Sequence, residues 1–209
     1  MRKNLSPLVL RGLAGFLIGL AVWGGLSVPY TRLLASLSEA VIRFGERPPV
    51  TYMTPQGTLM MVDRSDFPPS PSSVRLGVES TDITFNFILL LTLFAASSRP
   101  LSDRNVFGFV GAAVSLVVVH VAAIVAFVKA DYAMNFGPWS ALHYGVVARH
   151  FWGAAPYFYS VVGVYGLAFA LWWLFRPSSI PSAQGPSSRK NRQTSDITHR
   201  HKGHRDGTA

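Results

Sequence analysis

Two strongly polar residues, one of them an ionisable ring and the other a hydrogen-bonding amide, sit in apolar runs where charge is missing. His120 interrupts "SLVVVHVAAIVAF" (115–127), and Asn86 interrupts "ITFNFILLLTLFAASS" (83–98). If both runs cross a bilayer, at 1.5 Å per residue His120 lies roughly 4–5 Å beyond the midpoint of its run. Asn86, in a run of opposite direction, falls at about the same depth. The run 156–175 brings Tyr159, Ser160 and Tyr165 within a turn or two of that level. The expected constellation is an intramembrane polar layer of Asn86, His120 and a tyrosine or serine from the last span. A polar side chain at such depth turns toward the protein interior. Three chemistries are open to it: interhelical hydrogen bonding, each bond contributing about 1 kcal/mol or less; binding or proton relay toward something reached from outside; or catalysis. The ring is expected to be neutral, since no acid lies within the spans and Asp82 and Asp131 stand at their ends. Replacing it with Leu should cost little if Asn86 turns to Tyr159.

Other chemistry is poorly supported. The chain has no cysteine, which excludes disulfides, thiol catalysis and thiolate metal sites. It contains no G-x-S-x-G, H-E-x-x-H or G-x-G-D. Ser140 and His143 share a helical face at i, i+3, but no oxyanion site accompanies them. His143 and His150 would stand about 10 Å apart along a helix, too far to share one metal. His199, His201 and His204 read as part of a solvated basic tail. No metal, cofactor or catalytic residue is expected.

The elements that must position the layer are spans. Of 209 residues, 49% are hydrophobic and 14% charged, with the apolar ones in blocks rather than mixed at short period. A span needs about 20 mostly apolar residues. Four segments qualify: 8–28, with Arg11 able to snorkel; 83–98, short and expected to begin a few residues earlier; 106–128; and 156–175, ending in a Trp pair. The fold class is an all-α membrane protein with four transmembrane helices. A basic start followed by an apolar run also fits a signal peptide, but the run is long and no A-x-A site follows, so an uncleaved anchor is expected.

Lysine and arginine orient the bundle. Arg2, Lys3 and Arg11 precede span one, Arg99 and Arg104 link spans two and three, and seven more lie in 176–209. With four spans all three groups share one side, which the positive-inside rule makes cytoplasmic. Arg32, Arg43, Arg47, Arg64 and Arg75 oppose this from the other side. Both termini are expected inside, in a multi-pass protein of the bacterial cytoplasmic membrane.

Between spans one and two, "TRLLASLSEAVIRFG" is expected to form an amphipathic helix lying in the outer interface, or a continuation of span one beyond the membrane, with Leu33, Leu34, Leu37, Val41 and Phe44 on its apolar face. Within 46–80, two β-prone runs (50–54 and 58–62) flank Pro55-Gln56-Gly57, which predicts a small extracytoplasmic hairpin; "SVRLGVES" offers a third strand. So small a sheet must lean on the bundle, the membrane surface or a partner. The aromatic loop 129–155 is expected to hold a re-entrant or interfacial helix near "WSALHYGVVARHFW". The tail 176–209 is too polar to fold alone. Its basic residues suit anionic lipid. Nucleic acid is not an expected partner despite the net charge of +9, since no reading module is present.

One anchor span, a short extracytoplasmic β segment, "TDITFNFILLLTLFAASSRP" with its Asn86, and a histidine in the next span together resemble the small multi-span proteins associated with bacterial exosortases. Exosortases are polytopic cysteine transpeptidases that process proteins bearing a C-terminal sorting signal. A chain without cysteine cannot supply that nucleophile. The resemblance therefore implies a non-enzymatic accessory or assembly subunit, with another membrane protein, an exosortase, as partner. The alternative is a membrane-embedded enzyme or ligand-binding protein that uses the Asn86/His120 layer.

Overall fold

The computed structural model describes residues 7–66, 76–97 and 99–176. The basic tail beyond Arg176 lies outside these residues. Helix α1 spans Pro7–Phe44, followed by strands β1 (Thr51–Gln56), β2 (Leu59–Arg64) and β3 (Leu76–Glu79). Then come α2 (Ser80–Thr84), α3 (Asn86–Ala95), α4 (Asp103–Met134), α5 (Pro138–His143), α6 (Val146–Phe158), a π-turn at Tyr159–Gly163 and α7 (Val164–Phe175).

Three helices are long and apolar enough to cross a membrane: Val9–Phe44, Asp103–Met134 and the continuous Val146–Phe175. The protein is thus membrane-embedded by helix length and composition. The remaining segment expected to cross is shorter. Ser80–Ala95 is apolar but broken at Phe85, and its sixteen residues reach about 24 Å against a hydrocarbon core of about 30 Å.

Helix α1 continues past Val28 to Phe44, the second of the two expected arrangements of this stretch. It runs through Pro29, which costs a backbone hydrogen bond that packing on one face must offset. The buried residues beyond the proline are Thr31, Leu34, Ala35, Ser38 and Ile42, spaced three to four apart. Of the apolar face, only Leu34 is inside; Leu33, Leu37, Val41 and Phe44 point outward. The reason is physical: where lipid replaces water, an apolar outer face costs nothing, and small or polar residues mark the packed side. Near its start, α1 approaches α3 closely. A Cβ on Gly15 would collide with the Cβ of Ala95.

The sheet has order β1-β2-β3, antiparallel throughout, with Met53 opposite Val62 and Met60 opposite Val78. Strand β1 continues through Pro55 to Gln56, which pairs with Leu59. The turn is therefore Gly57-Thr58 rather than Pro55–Gly57, and Gly57 takes the left-handed φ of 66° that favours glycine. Proline is tolerated in β1 because that strand lies at the sheet's edge. Met53, Met60, Val62 and Val78 pack into one core with Leu34 and Ile42 of α1 and Ile124, Val128 and Tyr132 of α4. It is the bundle that the sheet leans on.

Val146–Phe158 forms the first turns of the last long helix rather than a separate interfacial helix. Only α5 stands apart in the aromatic loop. The link between α3 and α4 is tied by Asn105, whose Nδ2 donates to the Phe94 carbonyl (3.2 Å) and the Pro100 carbonyl (2.9 Å). The first belongs to the last turn of α3, where carbonyls run short of helical partners; the second lies in the link itself.

Candidate functional site

Asn86 opens α3, His120 lies mid-way along α4, and Tyr159 starts the π-turn of the last helix. All three are buried, Asn86 and His120 to 0% exposure. A fourth member comes from α1: Tyr30, one residue past the helical proline. Its hydroxyl lies 2.7 Å from His120 Nδ1. His120 Nε2 lies 2.7 Å from Asn86 Oδ1, Asn86 Nδ2 lies 3.3 Å from the Tyr159 hydroxyl, and Tyr159 reaches the Ile83 carbonyl at 2.7 Å.

One backbone carbonyl fixes the direction of the whole chain. The Ile83 oxygen only accepts, so the Tyr159 hydroxyl donates to it. Tyr159 can then accept from Asn86 Nδ2, which turns Oδ1 toward the histidine. The proton on the ring must sit on Nε2 to donate to that oxygen, and Nδ1 accepts from Tyr30. A neutral ring supplies the one donor and one acceptor the site requires. Among the described residues no carboxylate hydrogen-bonds to it. Tyr30 also meets the ring edge-on, with centroids 5.8 Å apart, and Trp23 meets Tyr30 in the same way at 6.0 Å.

Of the residues expected in the layer, the structure brings together Asn86, His120 and Tyr159. Ser160 and Tyr165 are exposed on the outer face of the last helix and do not join. Depth alone selected them, and adjacent residues on a helix point about 100° apart, so Tyr159 and Ser160 cannot both face inward. Asn86 already spends its amide nitrogen on Tyr159, so Tyr159 is no spare partner for the Oδ1 that loss of His120 would strand. Tyr30 was missed because the first span was ended at Val28. The signal was available in the spacing Tyr30, Leu34, Ile42, which continues the packed face past the proline.

A second polar cluster joins the sheet to the bundle. Arg64, at the end of β2, is 9% exposed and pairs with Glu46 (3.2 Å) and Asp66 (2.7 Å). Its guanidinium lies 4.8 Å over the Tyr132 ring and 4.7 Å over Trp139. Glu46 also accepts from the backbone N–H groups of Val50 (3.1 Å) and Thr51 (3.0 Å) and from the Thr51 hydroxyl (2.6 Å). Burial alone would raise the Glu46 carboxyl, but the bonds from Thr51 and Val50 and the charge of Arg64 together outweigh it and hold it below the usual range. The Arg64 fork lowers Asp66 by hydrogen bonding, against a smaller opposing effect of burial.

Ser140 and His143 are committed separately. The Ser140 hydroxyl donates to the Tyr132 carbonyl (2.7 Å) and accepts from Phe136 N–H (3.0 Å). His143 Nδ1 donates to the Trp139 carbonyl (2.9 Å), and its ring stacks on that indole with centroids 4.2 Å apart. Among the described residues no three His, Asp or Glu side chains gather as a metal site would need. Compared with known proteins, the chain matches no family model, no curated protein and no solved structure.

Proposed function

We propose that this protein is a non-enzymatic accessory or assembly subunit of a bacterial cytoplasmic-membrane machine, with four crossings and both termini inside. The observation that carries the reading is the closure of the Tyr30–His120–Asn86–Tyr159 chain on the Ile83 carbonyl. Both ring nitrogens are engaged and the ring is wholly buried. A substrate arriving at His120 would have to displace a bond the fold already uses. A chain so saturated ties four helical segments together, which is what a polar layer in a bundle does best. The resemblance to exosortase-associated proteins supplies the kind of machine, a protein-sorting one, with another membrane protein as partner.

One observation favours a second reading. The chain is directional, and Tyr30 at its open end is only half-buried. That is the arrangement a proton relay or a hydroxyl-binding ligand site would use. Capture of the full chain from its native membrane in mild detergent separates the two. The accessory reading expects a second membrane protein in fixed proportion. Isolation as a lone monomer with an intact fold would defeat it.

A further inference from the structure

A cleft of about 500 Å³ opens where the sheet meets the outer ends of α1 and α4. Arg47, Arg64, Lys129, Glu46, Asp66 and Tyr144 supply its polar lining, with Trp139 and His143 as an aromatic wall. It is separate from the His120 chain and does not depend on the accessory reading.

The balance of charge inside it is specific. Three cations face two carboxylates. Both carboxylates are already engaged: Glu46 by Arg64 and three donors from Val50 and Thr51, and Asp66 by both arms of the Arg64 fork. Arg64 is held in turn between them and two rings. Arg47 and Lys129 have no ion pair among the described residues. Lys129 is only half-exposed, its ammonium 5.8 Å from the centre of the Tyr132 ring. The half-buried Tyr144 makes no side-chain hydrogen bond among the described residues. The cleft therefore presents one excess positive charge together with unused donors. Lys129 feels the charge of Glu46, but that carboxylate is already paired with Arg64, and an anion in the cleft would give the half-buried ammonium a counterion of its own.

Depth identifies the source of the anion. Lys129 lies nine residues beyond His120, about 13–14 Å further along α4. The middle of the 32-residue α4 is close to His120, so Lys129 falls near the boundary of a hydrocarbon core about 30 Å thick. Tyrosine, tryptophan, arginine and lysine at that level are the side chains that meet lipid headgroups. We propose that this cleft binds the phosphodiester headgroup of an anionic phospholipid from the leaflet on the sheet side. Arg47 and Lys129 would hold the phosphate oxygens, and Tyr144 would donate to it.

The full chain, purified in uncharged detergent, can be titrated with short-chain phosphatidylglycerol and phosphatidylcholine, and separately with inorganic phosphate, bound lipid being counted by native mass spectrometry. One phosphatidylglycerol should bind in preference to phosphatidylcholine. Arg47→Gln with Lys129→Gln should weaken it at least about tenfold, the scale of one charge-assisted hydrogen bond. The charge-keeping pair Arg47→Lys with Lys129→Arg should retain it, as should Arg104→Gln at the opposite end of α4. Equal affinity for both lipids, or an unchanged affinity in the double Gln variant, would overturn the site. Tighter binding of inorganic phosphate than of phosphatidylglycerol would overturn the lipid as its source. Should the Gln pair misfold, the charge-keeping pair and the lipid preference of the unmodified chain still decide.

Discussion

His120→Leu should be clearly destabilising, and the structure says why and by how much. The substitution nearly preserves volume, so the cost lies in polar groups rather than in a cavity. Asn86 Oδ1 loses its only side-chain donor at a position with no solvent access. A buried acceptor so stranded costs about 1–3 kcal/mol. Tyr30 loses its acceptor too, but it is half-buried and can turn toward other partners. The expected loss is about 2 kcal/mol, near the upper end of measured hydrogen-bond couplings within membranes. Adding Asn86→Leu removes the stranded acceptor itself, so the double variant should be no worse than the single one, with a coupling of about 1 kcal/mol. Tyr30→Phe, which only leaves a ring nitrogen without a donor, should cost about 0.6 kcal/mol. Unfolding in mixed micelles with rising sodium dodecyl sulfate, followed by tryptophan fluorescence, reads all of these. Additivity of His120→Leu and Asn86→Leu, or a neutral His120→Leu, would refute the coupled chain.

Gly15→Val should force α1 from α3 and cost about 1–3 kcal/mol, whereas Gly24→Ala, with nothing within 4 Å of the new methyl, should be neutral or stabilising; unfolding midpoints distinguish them. Acid should loosen the sheet from the bundle. The folded carboxyls of Glu46 and Asp66 titrate below their unfolded values, so their contribution is present above about pH 4 and is lost as pH falls through the folded values. Proteolysis at the sheet should accelerate on acidification from pH 6 to 3, and constant protection would contradict this. Gln56→Cys and Leu101→Cys, both at exposed positions, should label from opposite sides of the membrane with an impermeant reagent. Labelling from the same side would mean that Ser80–Ala95 does not cross.

What the sequence disclosed follows from what lipid penalises. Asn86 and His120 stood out because polar groups at depth must turn inward, and Tyr159 came with them by depth. The strands at 50–54 and 58–62 were legible from β-prone runs flanking a Pro-Gln-Gly junction. Orientation about each helix axis was not legible. Within the apolar stripe Leu33, Leu34, Leu37, Val41 and Phe44, only Leu34 packs inside, because an apolar outer face is as welcome in lipid as in a core. Ser160 and Tyr165 failed for the same reason: depth is a single coordinate, and a helix has a second. At Pro29 the sequence left two arrangements open, a separate interfacial helix or a continued span; the contacts of Leu34 and Ile42 carry the helix through it and bring in Tyr30. The Arg64 clamp joins residues from the end of β2, the loop after α1, the last turn of α4 and α5, and no local pattern could assemble it.

The central claim, that the polar chain holds a bundle whose work is assembly rather than chemistry, is tested most directly by Asn86→Leu with His120→Leu in the full chain. The double variant should insert, and it should still co-purify from native membranes with the same membrane protein in the same proportion as the unmodified chain. A variant that remains folded, inserted and in its complex, yet leaves the cell without the function the unmodified chain supports, would contradict the account and make His120 a working group.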